Sequence, residues 1–103
     1  MATKNQIENV KVERLGNNNF CIWKRWISYL LTHERIIYTI QDDEPTIGSA
    51  NWAKWQDDNE LAKATILSHM NDDLIPLYEG LSTAKKITDT LEDKYGPKYE
   101  TYI

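Results

Sequence analysis

Two histidines, one cysteine and several clusters of adjacent carboxylates are the side chains here with the most obvious capacity for chemistry. His33 and His69 could serve as general bases or metal ligands. They lie far apart in sequence, and neither has a carboxylate or cysteine at an informative ligand spacing. Both are read as satisfied histidines at the edge of a core. Cys21 is the only cysteine, so an intramolecular disulfide cannot form and the usual thiolate zinc arrangements are missing. Asp42-Asp43-Glu44, Asp57-Asp58 and Asp72-Asp73 lack the Asp/Asn/Gly register of a calcium loop and read as loop solvation and helix N-terminal charge. No glycine-rich phosphate loop follows a strand, and no serine sits in a nucleophile elbow. The expectation is a protein with no catalytic residue, no cofactor, no bound metal and no small-molecule substrate, and hence not an enzyme.

One further constellation points to nucleic acid. Lys24, Arg25 and Arg35, interleaved with Trp23 and Trp26, could touch RNA through phosphate contacts and base stacking. The overall balance opposes it: twelve Lys/Arg against sixteen Asp/Glu leave a formal charge of −4. The charge is unevenly spread. Through Arg35, six basic residues against three Glu give +3, so the rest of the chain carries −7. Opposed halves can favour head-to-tail contact between copies.

The elements that must carry these residues are helical. Phe20, Trp23, Ile27, Leu30 and Leu31 recur at helical spacing and form one core-facing stripe on a helix expected from about Phe20 to Thr32. Ile22, Trp26 and Tyr29 form a second apolar face about 110° away when each residue advances about 100°. Either another element of the same domain covers that face, or it is kept for another subunit. Asn17, Asn18 and Asn19 are possible caps for this helix.

Glu34 to Ile40 is compatible with a helical turn or a brief strand, and the helical turn is preferred. Gln41 to Ser49, with its acids, Pro45 and Gly48, reads as a loop. Ser49 or Asn51 then caps a long helix through about residue 70, with Trp52, Trp55, Ala62, Ile66 and Met70 on one face. A short helix follows, bearing Leu74, Ile75, Leu77 and Tyr78, with Pro76 in its first turn and Gly80 at its end. Ser82 or Thr83 caps a last helix with Ala84, Ile87, Leu91 and Tyr95 facing inward, stopped by Gly96-Pro97. With 103 residues, one domain is expected. Its parts are a flexible or extended arm over 1–14, an all-α bundle of four to five helices over 15–96, and the start of a linker or following helix over 97–103. The apolar runs are too short to span a bilayer, and residues 1–5 lack the apolar core of a secretory signal. A cytoplasmic protein with no membrane contact is expected.

Taken in order, Leu15-Gly16, Asn19-Phe20, Trp23-Lys24, Leu30-Leu31, Trp55, Asp58, Ala62, Ile66, Thr83-Ala84-Lys85-Lys86, Leu91 and Tyr95 resemble the N-terminal capsid lobe of copia-type LTR retrotransposon Gag proteins. That family opens with an L-x-G-x-N-F-x-x-W-K segment, continues with a tryptophan-and-aspartate helix, and follows with a T-A-K-E-x-W helix. The chain departs from the pattern at Ile36 or Ile37, where the family often has tryptophan, and at Lys86-Ile87-Thr88, which replace the acidic residue and tryptophan. Lys86 removes the acid of a capping box, whereas Ile87 keeps the apolar role.

The resemblance implies an all-helical lobe that multimerises into a shell packaging retrotransposon RNA, with other Gag or capsid subunits as partners. RNA contact would lie mainly in family segments further along, a second lobe and a Cys/His knuckle that this sequence does not contain. The alternative is a host-adopted adapter or restriction factor that binds another Gag or protein partner. Ile22, Trp26 and Tyr29 are the candidate subunit interface. Lys24, Arg25 and Arg35 are candidate weak RNA contacts. Phe20, Trp23, Ile27, Leu30, Leu31, Trp55, Ala62, Ile66, Ile87 and Leu91 are the expected core.

Overall fold

The computed structural model describes residues 12–16 and 18–96; residues 1–11 of the arm expected over 1–14, the cap candidate Asn17 and the linker expected over 97–103 lie outside the described residues. Within them the chain forms five helices: α1 (Phe20–His33), α2 (Tyr38–Gln41), α3 (Trp52–Ser68), α4 (Ile75–Tyr78) and α5 (Ala84–Tyr95). The fold is all-α, with one isolated parallel bridge between Leu15 and Met70 among the described residues.

The first stripe of α1 is its buried face: Phe20, Trp23, Ile27 and Leu31 are buried, at the i, i+3, i+4 spacing of a helix packed on one side. Leu30 is only half-buried and packs against the edge of the cluster. From α3 the core takes Ala62 and Ile66, with Met70 just beyond the helix, and from α5 it takes Ala84, Ile87 and Leu91. Trp55 is buried too, at 6% exposure. Trp52 is half-buried and stacks on it, with ring centroids 5.3 Å apart.

A short N-terminal strap closes the bundle. The Leu15 N–H donates to the His69 carbonyl at 2.8 Å, and the Asn71 N–H donates to the Leu15 carbonyl at 3.1 Å. The Trp23 indole N–H donates to the same His69 carbonyl at 2.7 Å, so the ring's polar atom is satisfied where its body is buried. Leu15 itself is fully buried.

The helix ends depart from expectation. Asn19 occupies the N-cap position of α1, but its side chain does not cap the helix. It turns back instead: Oδ1 accepts from the Gly16 N–H at 2.8 Å, and Nδ2 donates to the Arg14 carbonyl at 2.9 Å. Asn19 therefore closes the Leu15-Gly16 turn, an alternative always open to a short polar side chain. Asn51, at the N-cap of α3, also makes no side-chain cap bond. Thr83 does cap α5, accepting the Lys86 N–H at 3.0 Å.

At the C-terminus of α1 the Arg35 N–H donates to the Thr32 carbonyl at 3.0 Å, and the Ile36 N–H donates to the Leu31 carbonyl at 2.9 Å. This paired 5→2 and 6→1 pattern is a Schellman motif, with Arg35 at the left-handed position usually taken by glycine (φ 64°). The hydrophobic contact that accompanies the motif is Ile36 with Leu31, both buried. The turn reverses the chain into α2, a single helical turn, as preferred from the sequence. α4 carries Pro76 in its first turn and ends at Tyr78, two residues before Gly80. None of the described helices is long and apolar enough to cross a membrane.

Candidate protein interface

The second apolar face of α1 is left largely open by the fold. Ile22 is 48% exposed and Tyr29 51% exposed. Trp26 lies between them on the helix surface, half-buried, its ring edge-on to Tyr29 with centroids 5.6 Å apart. The described end of the strap covers part of this face, since Val12 and Glu13 line a hollow of about 200 Å³ together with Ile22 and Trp26. The covering is incomplete, and the three candidate residues adjoin one another, Ile22 and Trp26 at this hollow and Trp26 against Tyr29.

The basic residues do not gather into the expected patch. Lys24 turns toward α5, where its ammonium pairs with Glu92 at 2.5 Å. Arg25, one residue on, is exposed and points about 100° away around the helix. Arg35 is exposed on the turn beyond α1. Lys24 thus joins α1 to α5 and lies on a different side of the helix from Arg25.

The histidines divide. His69 is half-buried, as expected, and its Nδ1 lies 2.7 Å from the Thr65 carbonyl. His33 is exposed in the last turn of α1, not at a core edge. No group of three or more His, Cys, Asp or Glu suited to a metal occurs among the described residues. Cys21 is exposed.

Of the carboxylate pairs, only Asp58 turns into the structure. It accepts from the Tyr38 hydroxyl at 2.5 Å and pairs with the Lys54 ammonium at 2.6 Å, joining α2 to α3. The hydrogen bond from Lys54, followed by that from Tyr38, holds the Asp58 carboxyl below its ordinary pKa. Burial, reinforced by Asp58 as hydrogen-bond partner and neighbouring charge, pushes the Tyr38 phenol up. Asp72 pairs with Arg14 at 3.1 Å between two well-exposed side chains, so its contribution to stability is small.

Two features were missed in the sequence. Asn59, buried in the apolar stripe of α3, accepts the Ala84 N–H through Oδ1 at 2.8 Å and donates from Nδ2 to the Ser82 carbonyl at 3.3 Å. It satisfies an amide at the start of α5 from a neighbouring helix, and its amphipathic position between Trp55 and Ala62 was the available signal. The second is a groove beside Trp55. A hollow of about 360 Å³ lies between the acidic loop Asp42-Asp43-Glu44 and the first turns of α5, which bring Lys85, Lys86 and Asp89 to its wall, and a neighbouring hollow of about 230 Å³ continues it past Trp52. The same loop carries Ile47, 76% exposed.

Compared with family models, curated proteins and solved structures, the chain has no significant match in any of the three.

Proposed function

We propose that this chain is a structural, capsid-like lobe of the retrotransposon Gag type, which associates with other copies or with a parental Gag and contributes to a shell packaging retrotransposon RNA. The reading rests on the ordered sequence resemblance. The structural observation that carries it is the two-faced α1: Phe20, Trp23, Ile27 and Leu31 hold the fold while Ile22 and Tyr29 remain exposed beside Trp26. A contiguous apolar surface on a small domain is the feature expected of a protein-binding face. RNA contact in this reading belongs mainly to other segments of a Gag protein.

The test separates the two faces by mutation. Trp23→Ala should lower the stability of the domain by about 3–5 kcal/mol in urea unfolding. Trp26→Ala should leave most of that stability intact and weaken association, read as light-scattering mass over a concentration series. A Trp26→Ala variant that unfolds while association of the folded fraction is unchanged would remove the interface assignment. A wild-type mass that stays monomeric throughout, with binding to a full-length Gag retained, would favour the adapter reading instead.

A further inference from the structure

We propose that the outward face of α1 docks, in a second copy of this chain, against the acidic groove beside Trp55, giving a head-to-tail contact. This deepens the assembly reading above and rests on it.

The two surfaces are separate and complementary. The hollow at the α1 face and the hollows beside Trp55 have no lining residue in common, so one molecule can present both at once. Arg25 projects from α1 beside Ile22 and Tyr29, its i−3 and i+4 neighbours. It is exposed, and among the described residues it forms no ion pair. Asp42, Asp43 and Glu44 are likewise exposed and, among the described residues, within ion-pair distance of no cation; Lys85 and Lys86 line the same hollow, but Lys85 is paired with Asp89, so the acids stay in excess there. Each surface also has an apolar part, Ile22 and Trp26 on one side and Trp52 with Trp55 on the other. The segment through Arg35 carries +3 and the remainder −7, so the pairing follows the charge division of the whole chain.

Symmetry supports the same choice. A two-fold contact of α1 with α1 would bring both Arg25 guanidiniums into one patch, and like charges at an interface disfavour it. Pairing α1 with the groove avoids that repulsion. It also leaves one unused surface of each kind at the ends of every open oligomer. Such a heterologous contact propagates into rings or open chains instead of stopping at a dimer, which is what a shell-forming subunit requires.

The experiment uses the full chain, the exposed variants Arg25→Glu and Asp42→Asn/Asp43→Asn/Glu44→Gln, and light-scattering mass at low and high salt. Circular dichroism confirms that each variant keeps its helices. Wild type should gain mass with concentration and do so less at high salt, as screening predicts. Each variant alone should associate at least about tenfold more weakly, equivalent to about 1.4 kcal/mol. Arg25→Lys should retain association. An equimolar mixture of the two defective variants should give a one-to-one pair and nothing larger, because one intact face and one intact groove remain. If the groove variant associates like wild type, or the mixture stays monomeric while wild type assembles, the head-to-tail contact is overturned and association by another surface stands. A wild type that never gains mass overturns both the contact and self-assembly by this lobe.

Discussion

Asp58 shows how a single side chain can be both invisible as chemistry and important to the fold. In the sequence it is half of an unremarkable acidic pair, yet Asp57 is exposed while Asp58 joins Tyr38 to Lys54. Because its folded pKa lies below the ordinary aspartate value, the stability it contributes is present above the unfolded pKa of about 3.9 and is lost as pH falls through the folded value. Tyr38 has the opposite sign. Its raised pKa means a contribution present below the ordinary phenol value of about 10 and lost as pH rises through the raised one. Urea midpoints measured from about pH 6 down to about pH 2 should therefore fall on the acid side, and Asp58→Asn should flatten that limb. An unchanged acid slope in Asp58→Asn would mean that other carboxylates carry it. Nothing in the spacing of residues 54 and 58 announced Tyr38 as the third member, because it arrives from a different helix.

Helices α1, α3 and α5 were legible because each carries an apolar stripe at helical spacing, and their observed cores, such as Ala62 and Ile66 or Ile87 and Leu91, are the residues that define those stripes. Their ends were less legible, for a physical reason: a cap is a competition between local hydrogen bonds, and spacing alone does not decide it. Asn19 closes the preceding turn instead of capping α1. The stop of α1 was harder still, since its left-handed residue is an arginine. A Cβ in that conformation is strained by about 1–2 kcal/mol, whereas glycine adopts it readily. Arg35→Gly should accordingly stabilise the domain by about 0.5–1 kcal/mol after allowance for the greater freedom glycine adds to the unfolded chain. Arg35→Ala, which keeps the Cβ, should show no such gain. The comparison is made by chemical denaturation of the three proteins side by side, and a glycine variant less stable than the alanine variant by about 0.4–1 kcal/mol, the unfolded-chain cost alone, would show that the turn carries no strain. The candidate interface, by contrast, could be drawn on a helical wheel, and Ile22 and Tyr29 are where it placed them, exposed on the far side of α1.

For the whole molecule, charge decides between partners. A net charge of −4 disfavours a polyanion, and the fold weakens the one local exception by pairing Lys24 with Glu92 and separating it from Arg25 around α1. That separation was available in the sequence, since neighbouring residues on a helix point about 100° apart, but three basic residues within a dozen positions suggested a patch before the geometry was applied. Of those three, Arg25 and Arg35 remain exposed, too few for strong phosphate binding. Titration of this chain with single-stranded RNA should therefore give weak binding and a shallow salt dependence. Each phosphate contact on a single strand contributes a slope of about −0.7 in log K against log salt. A slope steeper than about −2, equivalent to roughly three such contacts, would require a basic surface that the described residues do not provide. It would move the chain from the assembly class to the RNA-binding class. A shallow slope, together with mass that rises with concentration and falls back at high salt, ties the same uneven charge to contacts between copies. In that case the uneven charge serves association and not RNA, and the Arg25→Glu and groove variants decide whether the acidic groove is the surface that Arg25 meets.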